Sequence, residues 1–107
     1  MSKYFKNIQD NMNADFLNKL DEAREYAGIP FAINSAYRSP THPLSIKNPT
    51  SSHIKGLAVD ISVKDSNTRF KVLDALIAVG FTRIGIASSF IHVDLDFDKS
   101  QGVIWTY

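Results

Sequence analysis

No cysteine occurs among the 107 residues of the chain. That excludes disulfides, thiolate metal sites, iron–sulfur clusters and a cysteine nucleophile. A domain this small buries well under three-quarters of its unfolded surface, so its margin of stability is thin. A cross-link or a structural metal would help such a chain. Any metal must be held by histidines and carboxylates, and the histidines number three. The length also limits the architecture to one domain. It is too short for a (β/α)8 barrel or a dinucleotide fold with a second domain. Hydrophobic residues make up 44% of the sequence, enough to build a core.

Charge excludes further classes. Twelve basic and eleven acidic residues leave a net charge of +1. Such a balance creates no field favouring nucleic acid or an anionic membrane. The stretch from Met1 to Asp10 lacks the apolar core of a signal peptide. The densest apolar run, Ala75 to Phe81, is interrupted by Gly80. It falls far short of the roughly 20 residues of a membrane span. The expectation is a monomer made in the cytoplasm, with no nucleic-acid partner and no membrane insertion.

Residues 1–13 are polar with scattered aromatics and are expected as a lead-in segment, with the folded domain over 14–107. Asn13 is placed to cap a helix in which Phe16, Leu17, Leu20, Ala23 and Ala27 recur at helical spacing. Gly28 stops it and Pro30 prevents its resumption. Phe31 to Ser35 reads as a short strand, and residues 38–52 as a long, functional or mobile loop. Leu57 to Val63 alternates as a strand. Asp65 or Ser66 caps a second helix with Phe70, Leu73, Leu76 and Ile77 on its apolar face. Strands near Arg83–Ala87 and Phe90–Leu95 flank a tight turn at Ser88-Ser89, and Val103 to Tyr107 forms an edge strand. This order predicts an α+β fold, with helices packed on a small, mostly antiparallel sheet.

Two stretches carry chemistry: Ser51-Ser-His-Ile-Lys-Gly-Leu-Ala-Val-Asp60 and Phe90-Ile-His-Val-Asp94. Asp60 lies among Ala58, Val59, Ile61 and Val63. A carboxylate there must be paired or bound to metal. His92, between Ile91 and Val93, fits a core residue as well as a ligand. His53, in a serine-rich loop, fits an exposed surface position as well. Jointly, two imidazoles and one carboxylate near one small sheet form a set suited to zinc. Catalytic zinc sites use three protein ligands and leave a fourth position to water, whose pKa falls to about 7.

The run Ser51-x-His53-x-x-Gly56-x-Ala58-x-Asp60 resembles the signature of the zinc D-Ala-D-Ala peptidases. These peptidoglycan carboxypeptidases and endopeptidases belong to a superfamily that includes lysostaphin-type enzymes and the hedgehog domain. Phe90-Ile-His92-Val-Asp94 is similar to the second half-site of a short branch, and Ser35-Ala-Tyr37-Arg38-Ser39-Pro40 to another family segment. The closing strand is represented by Trp105 to Tyr107. The resemblance implies a hedgehog/DD-peptidase-like fold and one Zn2+ per chain on His53, Asp60 and His92. Arg38 would bind a carboxylate or carbonyl of a peptidoglycan peptide, Ser51 would bond substrate or orient a ligand, and Tyr37 would wall the cleft. Gly56 would serve backbone geometry and Ala58 close packing.

The sequence departs from that pattern at the general base. Many members carry Glu three residues before the last histidine; here that residue is Ser89. The two glutamates, Glu22 and Glu25, both fall on the first helix. Asp94, two residues along a strand from His92, shares its face and is the candidate catalytic base. Its other reading is support of a ligand histidine. Asp96 and Asp98 continue the alternation as solvated acids. They do not complete a calcium loop, since Lys99 and Trp105 stand where Gly and Glu are needed. His42, before Pro43, is expected as a surface residue or substrate contact. The activity implied is hydrolysis of a stem-peptide or cross-link amide by a zinc-bound water. It would act at the cell wall after release, or as a phage or virion component. The alternative is an inactive zinc-binding recognition module of the same fold.

Overall fold

The computed structural model describes residues 2–107. Helix α1 (Ala14–Ala27) starts at Asn13, whose side chain accepts the Phe16 N–H at 2.9 Å. It ends at Gly28, in the left-handed conformation. Strand β1 (Ile33–Ser35), helix α2 (Pro43–Lys47), strand β2 (Ala58–Ser62) and helix α3 (Ser66–Ala78) follow. Strands β3 (Arg83–Ile86), β4 (Phe90–Asp94) and β5 (Val103–Thr106) complete the chain. The fold is α+β, a five-stranded sheet in the order β1-β2-β4-β3-β5. Every pair is antiparallel except β5, which lies parallel to β3 at one edge. No helix among the described residues is long and apolar enough to cross a membrane.

Strand periodicity divides the sheet into two chemically distinct faces. Val59 and Ile61 of β2, Ile84 of β3, and Ile91 and Val93 of β4 join Phe16, Leu20, Val72 and Leu76 of the helices in one buried core. The alternate positions, Asp60, Arg83, Gly85, His92 and Asp94, fall on the opposite face. Two expected positions on α3 lie outside the core. The buried stripe runs through Val72, Ala75 and Leu76, and Phe70 and Ile77 are 66% and 52% exposed. At 100° per residue they project away from that stripe.

The first residues are packed rather than trailing. Phe5 is buried in the core, 6.5 Å from the Phe31 ring between centroids. Asp21 of α1 accepts from the Ser2 hydroxyl at 2.8 Å and from the Lys3 and Tyr4 N–H groups at 2.9 and 3.0 Å. The 38–52 segment, expected without regular structure, contains α2. Pro43 opens that helix, and His42 Nδ1 accepts the Leu44 N–H at 3.1 Å. His42 is therefore a helix cap.

Candidate metal centre

Asp60 and His92 are direct partners across the β2–β4 pair. Their closest atoms, Asp60 Oδ1 and His92 Nδ1, are 3.0 Å apart. His53 brings Nε2 to 3.4 Å from the same oxygen. One ligand atom from each of the three residues lies within 4.8 Å of the others. The imidazoles meet edge to face, with centroids 5.3 Å apart.

The outward ring nitrogens decide what the inward ones offer. His53 Nδ1 lies 2.8 Å from the Ala36 carbonyl oxygen, which only accepts, so Nδ1 carries the proton. His92 Nε2 lies 2.8 Å from Asp94 Oδ2 and donates to it. In the neutral rings, His53 Nε2 and His92 Nδ1 are then bare lone pairs directed at a carboxylate oxygen. Three electron-rich atoms so arranged repel one another unless a cation sits among them. A ring that carries a second proton donates to that oxygen instead. Burial alone would raise the Asp60 pKa, but hydrogen bonds from His53 and His92 outweigh it and hold it at about 2. Burial would lower the His92 pKa, but its bonds to Asp60 and Asp94 raise it instead. A two-nitrogen, one-oxygen set of this kind fits zinc.

His53 is delivered by consecutive tight turns, in which Ile54, Lys55 and Gly56 N–H groups bond the carbonyls of Ser51, Ser52 and His53. Gly56 sits at φ +69°, where a Cβ would overlap the Asn11 carbonyl oxygen. Glycine is therefore required. Asp96 ties this run to the end of β4. It accepts from the buried Ser52 hydroxyl at 2.7 Å and from Lys55 Nζ at 3.0 Å. Asp96, expected to be solvated, is only 1% exposed, because those donors replace its water; Asp98 is exposed. Burial would raise the Asp96 pKa, yet the Ser52 and Lys55 bonds bring it below its ordinary value.

A cleft of about 300 Å³ opens over the cluster, lined by Arg38 and Ser51 as well as Leu44, Phe90 and Tyr107. Arg38 makes one long side-chain contact, 3.5 Å to Ser35 Oγ, and no ion pair among the described residues. Ser51 Oγ accepts the His53 N–H at 3.3 Å. Tyr37, expected as a cleft wall, is not among the lining residues. Asp94 is buried and lies behind His92. Its Oδ1 accepts from Arg83 Nε at 2.8 Å and the Asp96 N–H at 3.1 Å, while Oδ2 holds the ring nitrogen turned away from Asp60. Burial opposes its ionisation, but the His92 bond and the Asp96 N–H overcome it and lower the pKa. Sequence reasoning missed Arg83, Ser52 and Tyr107. Arg83 was within reach, because a turn at Ser88-Ser89 sets positions 83 and 94 opposite each other.

A helix-backed sheet thus presents a His-Asp-His cluster, able to hold a metal ion, beneath an open cleft. The chain matches the Peptidase M15 family over residues 2–94 and belongs to that family of metallopeptidases. The matched span takes in residues 2–13 as well as all three cluster residues. No curated protein and no solved structure matches the chain.

Proposed function

We propose that this protein is a zinc peptidase cleaving an amide bond in peptidoglycan stem peptides or their cross-links. One Zn2+ per chain would be held by His53 Nε2, Asp60 Oδ1 and His92 Nδ1. The observation that carries this reading is the convergence of two lone pairs and a carboxylate oxygen beneath a cleft that also holds Arg38, which makes no ion pair among the described residues. Zinc bound in such a set supplies Lewis acidity, polarising a carbonyl and lowering the pKa of water to about 7. Arg38 would anchor a substrate carboxylate or carbonyl, since its guanidinium presents a fixed fork of donors. Ser51, at the cleft wall, would hold the His53 turn and donate its hydroxyl hydrogen to the peptide. Phe90, Leu44 and Tyr107 would take the apolar parts of the substrate. With both its oxygens already engaged, Asp94 would orient His92 rather than act as the base. The site of action would be the cell wall, reached after release or as part of a virion.

A second reading has one observation in its favour. Asp60 is the single carboxylate among the cleft-lining residues, and it belongs to the cluster. A zinc-binding recognition module would need nothing more. Digestion of purified peptidoglycan with zinc-loaded protein, with and without chelator, separates the two. The peptidase reading expects chelator-sensitive fragments whose masses identify the bond cut. Zinc-loaded protein that binds murein and leaves it intact would establish the module.

A further inference from the structure

We propose that Arg83 is a positioning residue for the metal centre: acting through Asp94, it fixes the direction in which His92 presents Nδ1. This rests on the metal-centre reading above. Arg83 lies on β3, one strand beyond His92. The hairpin pairs Gly85 with His92 and Ile84 with Val93, which sets Arg83 beside Asp94. Its Nε donates to Asp94 Oδ1 at 2.8 Å and a terminal nitrogen donates to the Ser100 carbonyl at 2.7 Å. Two anchors leave the guanidinium a single orientation. Asp94 is thereby prevented from turning, and its Oδ2 stays on His92 Nε2. A His92 ring rotated about its Cβ–Cγ bond would carry Nδ1 away from Asp60.

Trp105 of β5 completes the device. Its indole lies 4.9 Å from the Arg83 guanidinium and 5.5 Å from the His92 ring. It reaches both because position 85 is glycine, where a Cβ would come within 2.6 Å of the indole. Arg83, Asp94 and His92 are thus chained by hydrogen bonds, and one aromatic ring lies against the two ends of that chain. A nearly buried ion pair is by itself weak evidence for stability. Here its geometry is passed on to a ligand nitrogen.

The test is zinc affinity, measured by competition with a chromophoric chelator, together with the visible spectrum of the Co2+-substituted protein. Arg83→Met is expected to weaken zinc binding by about 10–100-fold, as is typical for partners of ligand histidines, and to alter the Co2+ bands. Asp94→Asn should lose a similar factor, and adding Arg83→Met to it should lose nothing more. Arg83→Lys should recover part of the affinity. Unfolding of the metal-free variants follows the structural loss separately. If Arg83→Met fails to fold, Arg83→Lys and the Arg83→Met/Asp94→Asn pair carry the test, since neither leaves a buried charge unpaired. Unchanged zinc affinity with lowered metal-free stability would overturn the proposal. So would an equal loss in both backgrounds, which would mean that Arg83 does not act through Asp94. Wild-type protein that binds no zinc would bring down the metal-centre reading as well; wild-type binding matched by Arg83→Met would remove this proposal alone.

Discussion

His53 reaches the cluster from a run of turns and is held by a backbone carbonyl, that of Ala36. His92 stands on β4, the middle strand of the sheet, and is held by side chains, Asp94 and behind it Arg83. The two also present different nitrogens, Nε2 from the first and Nδ1 from the second. The contrast shows what each half depends on. A carbonyl cannot be substituted, so the His53 half depends on the path of the chain. The His92 half depends on charges, in a place where the strand already fixes the path. One half should be sensitive to backbone geometry and the other to polar contacts.

The largest effects come from removing a ligand, and there the halves should behave alike. Metal-binding energy is also folding energy. Zinc at roughly 100 times its dissociation constant should stabilise the wild type by about 2.7 kcal/mol. His53→Ala and His92→Ala should gain nothing, as read by denaturant unfolding with and without zinc. Turnover should fall to the uncatalysed level in both. A variant still stabilised by zinc would remove its histidine from the ligand set.

The glycines separate the halves. In the His53 half, Gly56→Ala places a Cβ against backbone at a positive φ. Strain and overlap together should cost about 3 kcal/mol. In the His92 half, the nearest atoms that Gly85→Ala meets belong to the Trp105 side chain, which can shift. About 1–2 kcal/mol is expected there, with a change in the fluorescence of Trp105, the one tryptophan in the chain. Chemical denaturation of both variants makes the comparison. Equal costs would mean that backbone path matters no more in one half than in the other.

The same contrast governs how much was legible in the sequence. The strands around Asp60 and His92 follow from period-two alternation, and the turn at Ser88-Ser89 fixes the β3–β4 hairpin that carries His92. Asp60 and His92 meet through strand register, whereas His53 comes from a run of turns and was legible through the resemblance of the Ser51–Asp60 run. Contacts across the chain were harder to see. Nothing local to Asp96 reveals that Ser52 and Lys55, more than forty positions away, give it donors that permit burial. Phe5 looked like part of a polar lead-in because its packing partners, such as Phe31, come from later elements. Two overlapping apolar stripes share the α3 sequence, one through Phe70 and Ile77 and one through Val72 and Leu76, and tertiary packing buries the second. Asp94 shares the face of His92 as expected, but its partner Arg83 approaches from another strand.

The smallest expected effect tests the charge that the His53 half does possess. Asp96→Asn keeps the shape and one acceptor but loses the charge-assisted bonds to Ser52 and Lys55. A loss of about 1 kcal/mol is expected at neutral pH. The folded Asp96 pKa lies below its ordinary value, so near that value the unfolded chain binds more protons than the native one. Its stabilisation is therefore complete above the unfolded pKa of about 3.9 and is lost as pH falls through the lower, folded pKa. Unfolding of wild type and variant in chelator, across acidic to neutral pH, gives the difference without zinc release contributing. That difference should be full at neutral pH and shrink steadily once the pH drops below about 4. No difference at neutral pH would mean that the loop path alone positions His53. A difference unchanged in acid would mean that Asp96 contributes through its shape and not its charge.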